Sequence, residues 1–96
     1  MEKIGVFKIE HCLKVPGKYL FAVGQLVDGK VIRRSFFDVA VDGKPAKAKI
    51  ILHVVGREPM FGNMPGGLLI LFEDAAVHKI AVGDKVKEQV VEIYTE

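Results

Sequence analysis

Alternation of side-chain character between residues 46 and 55 is the feature that most constrains this fold. Its first set is apolar throughout: Ala46, Ala48, Ile50, Leu52 and Val54. The intervening set is mixed and includes two lysines and a histidine: Lys47, Lys49, Ile51, His53 and Val55. Because successive side chains of a strand point to opposite faces, this spacing predicts a β-strand with one apolar face. Frequent valine and isoleucine favour strands along the rest of the chain as well.

Four short turn signals divide the chain into strand-length segments: Val15-Pro16-Gly17, Asp28-Gly29, Asp42-Gly43 and Gly83-Asp84. The two Asp-Gly pairs predict two-residue hairpin loops, since a type I′ turn needs positive φ at both central positions. We therefore expect strands near 4–13, 18–27, 30–41, 44–55, 67–73 and 85–94. A short extended piece is expected near 76–81, and no window predicts a helix.

These segments predict an all-β fold, a small six- to seven-stranded antiparallel barrel that is closed or nearly closed. Closure removes the unpaired edges that an open sheet would expose. At 96 residues, half of them apolar, the chain is expected to form one domain over residues 1–96.

The net charge of +2 conceals a strong asymmetry. Residues 30–57 hold seven basic and two acidic side chains, a balance of +5, and the remainder carries −3. The total is too mild to indicate a nucleic-acid binder, whereas the local excess makes one plausible.

Compartment and membrane association are constrained by what the sequence contains. A lone cysteine, Cys12, excludes an intramolecular disulfide and fits a reducing cytoplasm. The N-terminus carries charge at once, which argues against a signal peptide. The longest apolar run, residues 68–72, is far shorter than the ~20 residues of a membrane span. We expect a cytoplasmic protein without membrane contact.

Three motifs resemble the second-domain β-barrel of translational GTPases such as elongation factor Tu. The first is the hairpin pattern at 23–31, which contains Gly24 and Gly29 and follows the turn at 15–17. The second is the Gly-Leu-Leu run at 66–71, and the third is Val82-Gly83-Asp84-Lys85-Val86. Together they cover roughly residues 4–91. The resemblance implies a six-stranded antiparallel Greek-key barrel that contacts the transfer RNA acceptor end or ribosomal RNA. Residues 33–35, Arg-Arg-Ser, depart from the family's second Gly-Asp turn. The sequence contains no phosphate-binding loop, so no GTPase activity is expected.

The Asp42-Gly43 loop sets a register that places Asp38 opposite Lys47, Phe36 opposite Lys49, Arg34 opposite Ile51 and Ile32 opposite His53. One face then becomes basic with an interleaved aromatic, as on strand platforms that bind single-stranded RNA. The predicted RNA-binding residues are Arg33, Arg34, Phe36, Lys47 and Lys49. The alternative is an ordinary solvated face, on which Lys47 pairs with Asp38 and the Lys49 stem covers Phe36. Arg33 and Ser35 fall on the opposite, core face unless the strand bulges or ends there.

A second hypothesis is a protein-interaction or self-association module. An Asp28-Gly29 hairpin would pair Phe21 with Phe36 and leave Tyr19, Phe21 and Val23 on the outer surface, unless a bulge changes the register there. The glycine- and proline-rich segment 57–66 adds Met60, Phe61 and Met64, an adaptable apolar set. The predicted protein-contact residues are Tyr19, Phe21, Met60, Phe61 and Met64. Alternatively, the segment closes one end of the barrel.

Catalysis and metal binding have little support in the sequence. His11 and Cys12 are strand neighbours that point apart, and no paired-histidine spacing occurs. Glu73-Asp74 is a candidate acid/base pair that reads more naturally as a turn. A small-ligand carrier is disfavoured, because so small a barrel fills with its own side chains. We expect no enzyme activity, no cofactor and no metal.

Overall fold

The computed structural model describes residues 2–55 and 66–95 and contains six strands and one short helix. These are β1 (Glu2–Lys14), β2 (Leu20–Gly29), β3 (Phe36–Val41), β4 (Lys44–Val54), β5 (Gly67–Phe72), α1 (Ala75–Ile80) and β6 (Gln89–Thr95). The strands close into an antiparallel barrel in the order β1-β2-β5-β4-β3-β6, and β6 pairs back with β1. The predicted all-β small barrel is confirmed. Within the described residues, no helix has the length and apolarity needed to cross a bilayer.

The barrel interior is packed with aliphatic and aromatic side chains from all six strands. Phe7, Ile9, Phe37, Ile50 and Ile93 are fully buried. Burial of each such side chain stabilises the fold by about 1.5–3 kcal/mol. Val77 of α1 packs against this core, and Ala81 just after the helix is itself part of it. The alternating apolar residues of β3, and those of β4 as far as Ile50, therefore form the inner wall of the barrel as predicted.

The predicted Asp42-Gly43 hairpin is confirmed in both conformation and register. Asp42 and Gly43 have φ of 52° and 81°, the left-handed values that a type I′ loop requires. Phe36 lies opposite Lys49 and Asp38 lies opposite Lys47. The turns expected at 15–17 and 83–84 are present too, with Gly17 and Gly83 at positive φ.

The predicted Asp28-Gly29 hairpin is wrong. Both residues belong to β2 and pair with β1, Asp28 opposite Val6 and Gly29 opposite Gly5. Gly29 has φ of 74°, and a Cβ there would lie 2.2 Å from the Ile4 carbonyl oxygen. Glycine is therefore needed for close strand contact at this position, and no chain reversal occurs. Since β2 lies between β1 and β5, Phe21 does not pair with Phe36.

The strand expected over 30–41 begins only at Phe36, because residues 30–35 connect β2 to β3 on the far side of the barrel. A turn closes with the Ser35 N–H donating to the Ile32 carbonyl at 3.2 Å. Ser35 is buried, and its hydroxyl donates to the same carbonyl. The predicted pairings of Arg34 with Ile51 and of Ile32 with His53 are therefore wrong, and the strand ends where Arg33 would have entered the core.

A register shift between Ile50 and Leu52 inverts the side-chain alternation in the last part of β4. Leu52 was expected in the core but is 47% exposed. The His53 ring, expected outside, lies edge-on to the buried Phe7 ring with centroids 6.2 Å apart. One extra residue in a strand changes the face of every later side chain, which is why the simple alternation failed here.

Residues near 76–81, expected to be extended, form helix α1 instead. The Asp74 carboxylate accepts a hydrogen bond from the Ala76 N–H at 2.9 Å and so caps the helix N-terminus. Alanine at positions 75 and 76 favours the first turn. The Asp74–Ala75–Ala76 sequence was therefore a helix-start signal, and Asp74 serves as a cap in place of the acid/base role considered above.

A side chain closes the barrel where β3 and β6 diverge. Their backbone ladder pairs Phe36 with Tyr94. Further along, the Gln89 amide accepts from the Ala40 N–H at 2.8 Å and donates to the Ala40 carbonyl at 3.0 Å. Gln89 thus satisfies both polar groups of a backbone position that a neighbouring strand would otherwise satisfy.

Candidate functional site

Four of the five predicted RNA-binding residues meet in one small hollow on the barrel surface. Arg34, Phe36, Lys47 and Lys49 line it together with Glu73, and its volume is about 40 Å³. We call this the basic hollow. The β3–β4 hairpin supplies its middle, the connection before β3 supplies Arg34, and the residue after β5 supplies Glu73. The hollow is too small to enclose a small molecule.

Paired positions extend the basic hollow into a row across four strands. Tyr94 lies opposite Phe36, Phe36 opposite Lys49, and Lys49 opposite Leu71. Directly paired residues of an antiparallel sheet share a face, so the row runs from β6 through β3 and β4 to β5. Sequence reasoning missed Tyr94, because nothing local indicates that β6 lies beside β3.

Phe36 is only 7% exposed, so it is not an open stacking surface. The Lys47 ammonium lies over its ring, with Nζ 4.1 Å from the centroid. The half-buried Tyr94 stacks beside it, with ring centroids 6.2 Å apart and planes inclined by 28°. Phe36 therefore supports two more accessible groups, a cation and an aromatic ring.

Lys47 makes an ion pair with Glu73, Nζ to Oε1 at 3.8 Å. The alternative to an RNA-binding face paired Lys47 with Asp38. Asp38 does lie opposite Lys47 in the ladder, but Lys47 forms its ion pair with Glu73. The side chains of Lys47 and Glu73 are 39% and 66% exposed, so solvent screens the contact and it contributes at most about 1 kcal/mol. Arg34 and Lys49 make no ion pair within the described residues, which leaves the hollow with an excess of positive charge.

Arg34 is held in an unusual backbone conformation. Its φ is 70°, a region that costs a non-glycine residue roughly 1 kcal/mol or more. Two hydrogen bonds to β4 maintain it: the Arg34 N–H donates to the Ile50 carbonyl at 2.9 Å, and the Ile50 N–H donates to the Ser35 carbonyl at 2.8 Å. Arg33, the fifth predicted residue, is exposed and lies outside the hollow lining.

A small polar cluster lies at the Tyr94 end of the row. The Tyr94 hydroxyl donates to the Glu92 carboxylate, and Lys3 lies 3.5 Å from the same carboxyl group. The hydrogen bond from Tyr94, followed by the charge of Lys3, lowers the pKa of Glu92. The same hydrogen bond raises the pKa of Tyr94. Tyr94 therefore stays neutral and is held by its hydroxyl.

The predicted protein-contact residues are separated in the structure. Met60, Phe61 and Met64 lie outside the described residues. Tyr19 is half-buried in the β1–β2 connection, whereas Phe21 belongs to the outer surface of β2. Phe21 lies in a row of directly paired apolar residues, Leu13, Phe21, Leu69 and Leu52, across β1, β2, β5 and β4. We call this the apolar row.

Groups with potential reactivity are dispersed or buried. Among residues 2–55 and 66–95, no three His, Cys, Asp or Glu side chains gather closely enough to hold a metal ion. Cys12 is 1% exposed, and burial raises the pKa of its thiol to about 12. Cys12 is therefore a core residue.

Comparison with known proteins gives no relative to draw on. No family model, no curated protein and no solved structure matches the chain.

Proposed function

We propose that the protein is a non-catalytic module that binds RNA through the basic hollow and the row beside it. The observation that carries the proposal is the convergence of Arg34, Lys47 and Lys49 around the Phe36–Tyr94 aromatic pair. Recognition of single-stranded RNA needs two elements, cations that neutralise phosphates and an aromatic ring on which a base can stack. The site places these two elements side by side. The motif resemblance to the barrel of translational GTPases favours the same class of ligand through residues 66–71 and 82–86, since the hairpin at 28–29 is absent.

The division of roles follows from exposure. Arg34 and Lys49 are exposed and face phosphates, whereas the half-buried Lys47, held between Phe36 and Glu73, fixes the shape of the hollow and contributes the third positive charge. The half-buried Tyr94, with the Phe36 ring stacked against it, is the ring that receives a base. Such a site has little sequence preference, because every base has a stacking face.

A fluorescence-polarisation titration of a labelled single-stranded RNA tests this proposal. With three cations engaged, the logarithm of affinity should fall with the logarithm of salt concentration at a slope of about −2, since each phosphate contact contributes about −0.7. A triple variant, Arg34→Gln, Lys47→Gln and Lys49→Gln, should remove most of that slope. Lys87→Gln, at an exposed lysine outside the hollow lining, is the control. Absence of binding at low salt, or an equal loss in the control, would refute the proposal.

The apolar row supports a second candidate function, self-association or contact with another protein. Leu13 and Leu52 are 42% and 47% exposed, and Phe21 and Leu69 between them are partly exposed. Four apolar side chains in register over four strands form a continuous stripe, which is the kind of surface that partners cover. Light scattering of the wild type and of Leu52→Lys tests this, with Val90→Lys as the control on β6. If the wild-type protein is a monomer, the self-association hypothesis is refuted.

A further inference from the structure

A second basic concavity lies between the β1–β2 connection and α1. Its volume is about 470 Å³, and its lining includes Lys14, Lys18, Tyr19, Leu20, His78 and Lys79. We call it the lysine groove. Pockets that bind small ligands range from about 300 to 1,000 Å³, so the groove has room for a compound of nucleotide size.

Three separate segments bring ammonium groups to this groove. Lys14 ends β1, Lys18 lies in the β1–β2 connection, and Lys79 lies in the last turn of α1. No carboxylate is among the lining residues. The four ion pairs between described residues engage other lysines: Lys3, Lys8, Lys47 and Lys85. Like charges gathered without a counter-charge repel one another, and an anion placed between them relieves that repulsion.

The remaining lining residues suit the neutral part of a phosphorylated compound. His78 accepts a hydrogen bond at Nδ1 from the Phe72 N–H at 3.3 Å, so in the neutral ring Nε2 carries the proton and is a donor. Every titratable side chain of the groove, the Tyr19 hydroxyl included, can thus donate to an anion. Tyr19 offers an aromatic ring, with the Lys18 Nζ 5.4 Å from its centroid, and Leu20 supplies an apolar floor.

We propose that the lysine groove binds phosphate groups, with Lys14, Lys18 and Lys79 as the anion contacts and Tyr19 beside them. The phosphate has two possible sources, a free polyphosphate or nucleotide and the backbone of a bound RNA strand. The inference stands apart from the RNA-binding function proposed above, because it shares no residue with the basic hollow.

Two arms of one experiment separate these sources. The first measures binding of inorganic tripolyphosphate by calorimetry and by backbone amide shifts in NMR spectra, where Gly17, Lys18, Tyr19 and Lys79 should move. The second measures the affinity of the labelled single-stranded RNA. Both use the full chain, the double variant Lys18→Gln and Lys79→Gln, and the control Lys87→Gln, which changes an exposed lysine outside the groove.

Loss of charge-assisted contacts should weaken the relevant ligand by about tenfold or more in the double variant. If the double variant loses only tripolyphosphate binding, the ligand of the groove is a free phosphate compound. If it loses only RNA affinity, the ligand is the RNA backbone. The inference is overturned if the double variant binds both tripolyphosphate and RNA as tightly as the wild type does. It is also overturned if Lys87→Gln loses as much affinity as the double variant. If the basic-hollow variants do not change RNA affinity, the RNA-binding proposal fails, but the tripolyphosphate measurement still tests the lysine groove. The two proposals can therefore fail separately.

Discussion

The Lys47 ammonium lies 4.1 Å from the centre of the Phe36 ring and covers an aromatic side chain on the outer wall of the barrel. A cation over an aromatic face contributes about 0.5–1 kcal/mol at an exposed site. The same lysine reaches Glu73 after β5, so it connects β4 to the start of α1. Its position is therefore set on two sides before any ligand arrives.

Replacement of Lys47 separates its charge from its packing. Lys47→Met keeps an unbranched stem over Phe36 but removes the charge, so stability should fall by about 1 kcal/mol or less. RNA affinity should fall several-fold, and Lys47→Arg should retain most of both. Urea unfolding followed by circular dichroism and RNA polarisation give the two readouts. A Lys47→Met protein with wild-type RNA affinity would show that this lysine is structural only.

Tyr94 should matter more for RNA than Phe36 does. Removing the ring in Tyr94→Leu should weaken RNA binding by about tenfold, since stacking of one base contributes about 1–3 kcal/mol. Tyr94→Phe loses the hydrogen bond to Glu92 but keeps the ring, so its RNA affinity should stay close to that of the wild type. Equal losses in these two variants would contradict stacking as the role of Tyr94.

Arg34→Gly should raise stability while it lowers RNA affinity. Glycine accepts a φ of 70° without strain, and the relief outweighs its greater chain entropy, for a gain of about 0.5–1 kcal/mol. Loss of one phosphate contact should reduce the salt slope by about 0.7. Arg33→Gly is the matched control, because Arg33 has no positive φ and lies outside the hollow. If both variants behave alike, the special role of Arg34 is wrong.

Gln89→Ala should destabilise the barrel by about 1–3 kcal/mol, because two hydrogen bonds to Ala40 are lost together. Hydrogen exchange should quicken at the Ala40 amide first, since that N–H loses its acceptor. Gln25→Ala, at an exposed glutamine of β2, should change little. An unchanged exchange rate at Ala40 would show that Gln89 does not close this part of the barrel.

Cys12 should resist thiol reagents in the folded protein. With a pKa of about 12, the thiolate is only about one part in ten thousand at pH 8, and burial blocks access as well. Reaction with a coloured disulfide reagent should be slow in buffer and fast in concentrated urea. A fast reaction in buffer would show that β1 opens locally at Cys12.

The sequence alone determined those strands and turns that depend only on neighbouring residues. Alternation in β3, and in β4 as far as Ile50, predicted the inner wall. Asp42-Gly43 predicted both the loop and the pairing of Phe36 with Lys49, since both depend on neighbouring residues. The fold class followed from the number of such segments. These predictions hold because side-chain period and turn conformation are properties of a few consecutive residues.

Only the tertiary structure decided which strands meet. Asp28-Gly29 has the composition of a hairpin loop, yet β2 continues through it because β1 offers partners along its whole length. The shift after Ile50 moved Leu52 outward, and the chain order β1-β2-β5-β4-β3-β6 placed Tyr94 beside Phe36 and Lys14 near α1. Long-range pairing depends on the free energy of closing the whole barrel, which no short window contains. The basic face with Arg34, Lys47 and Lys49 was visible in the sequence, but its neighbours Glu73 and Tyr94 were not, because they come from distant parts of the chain.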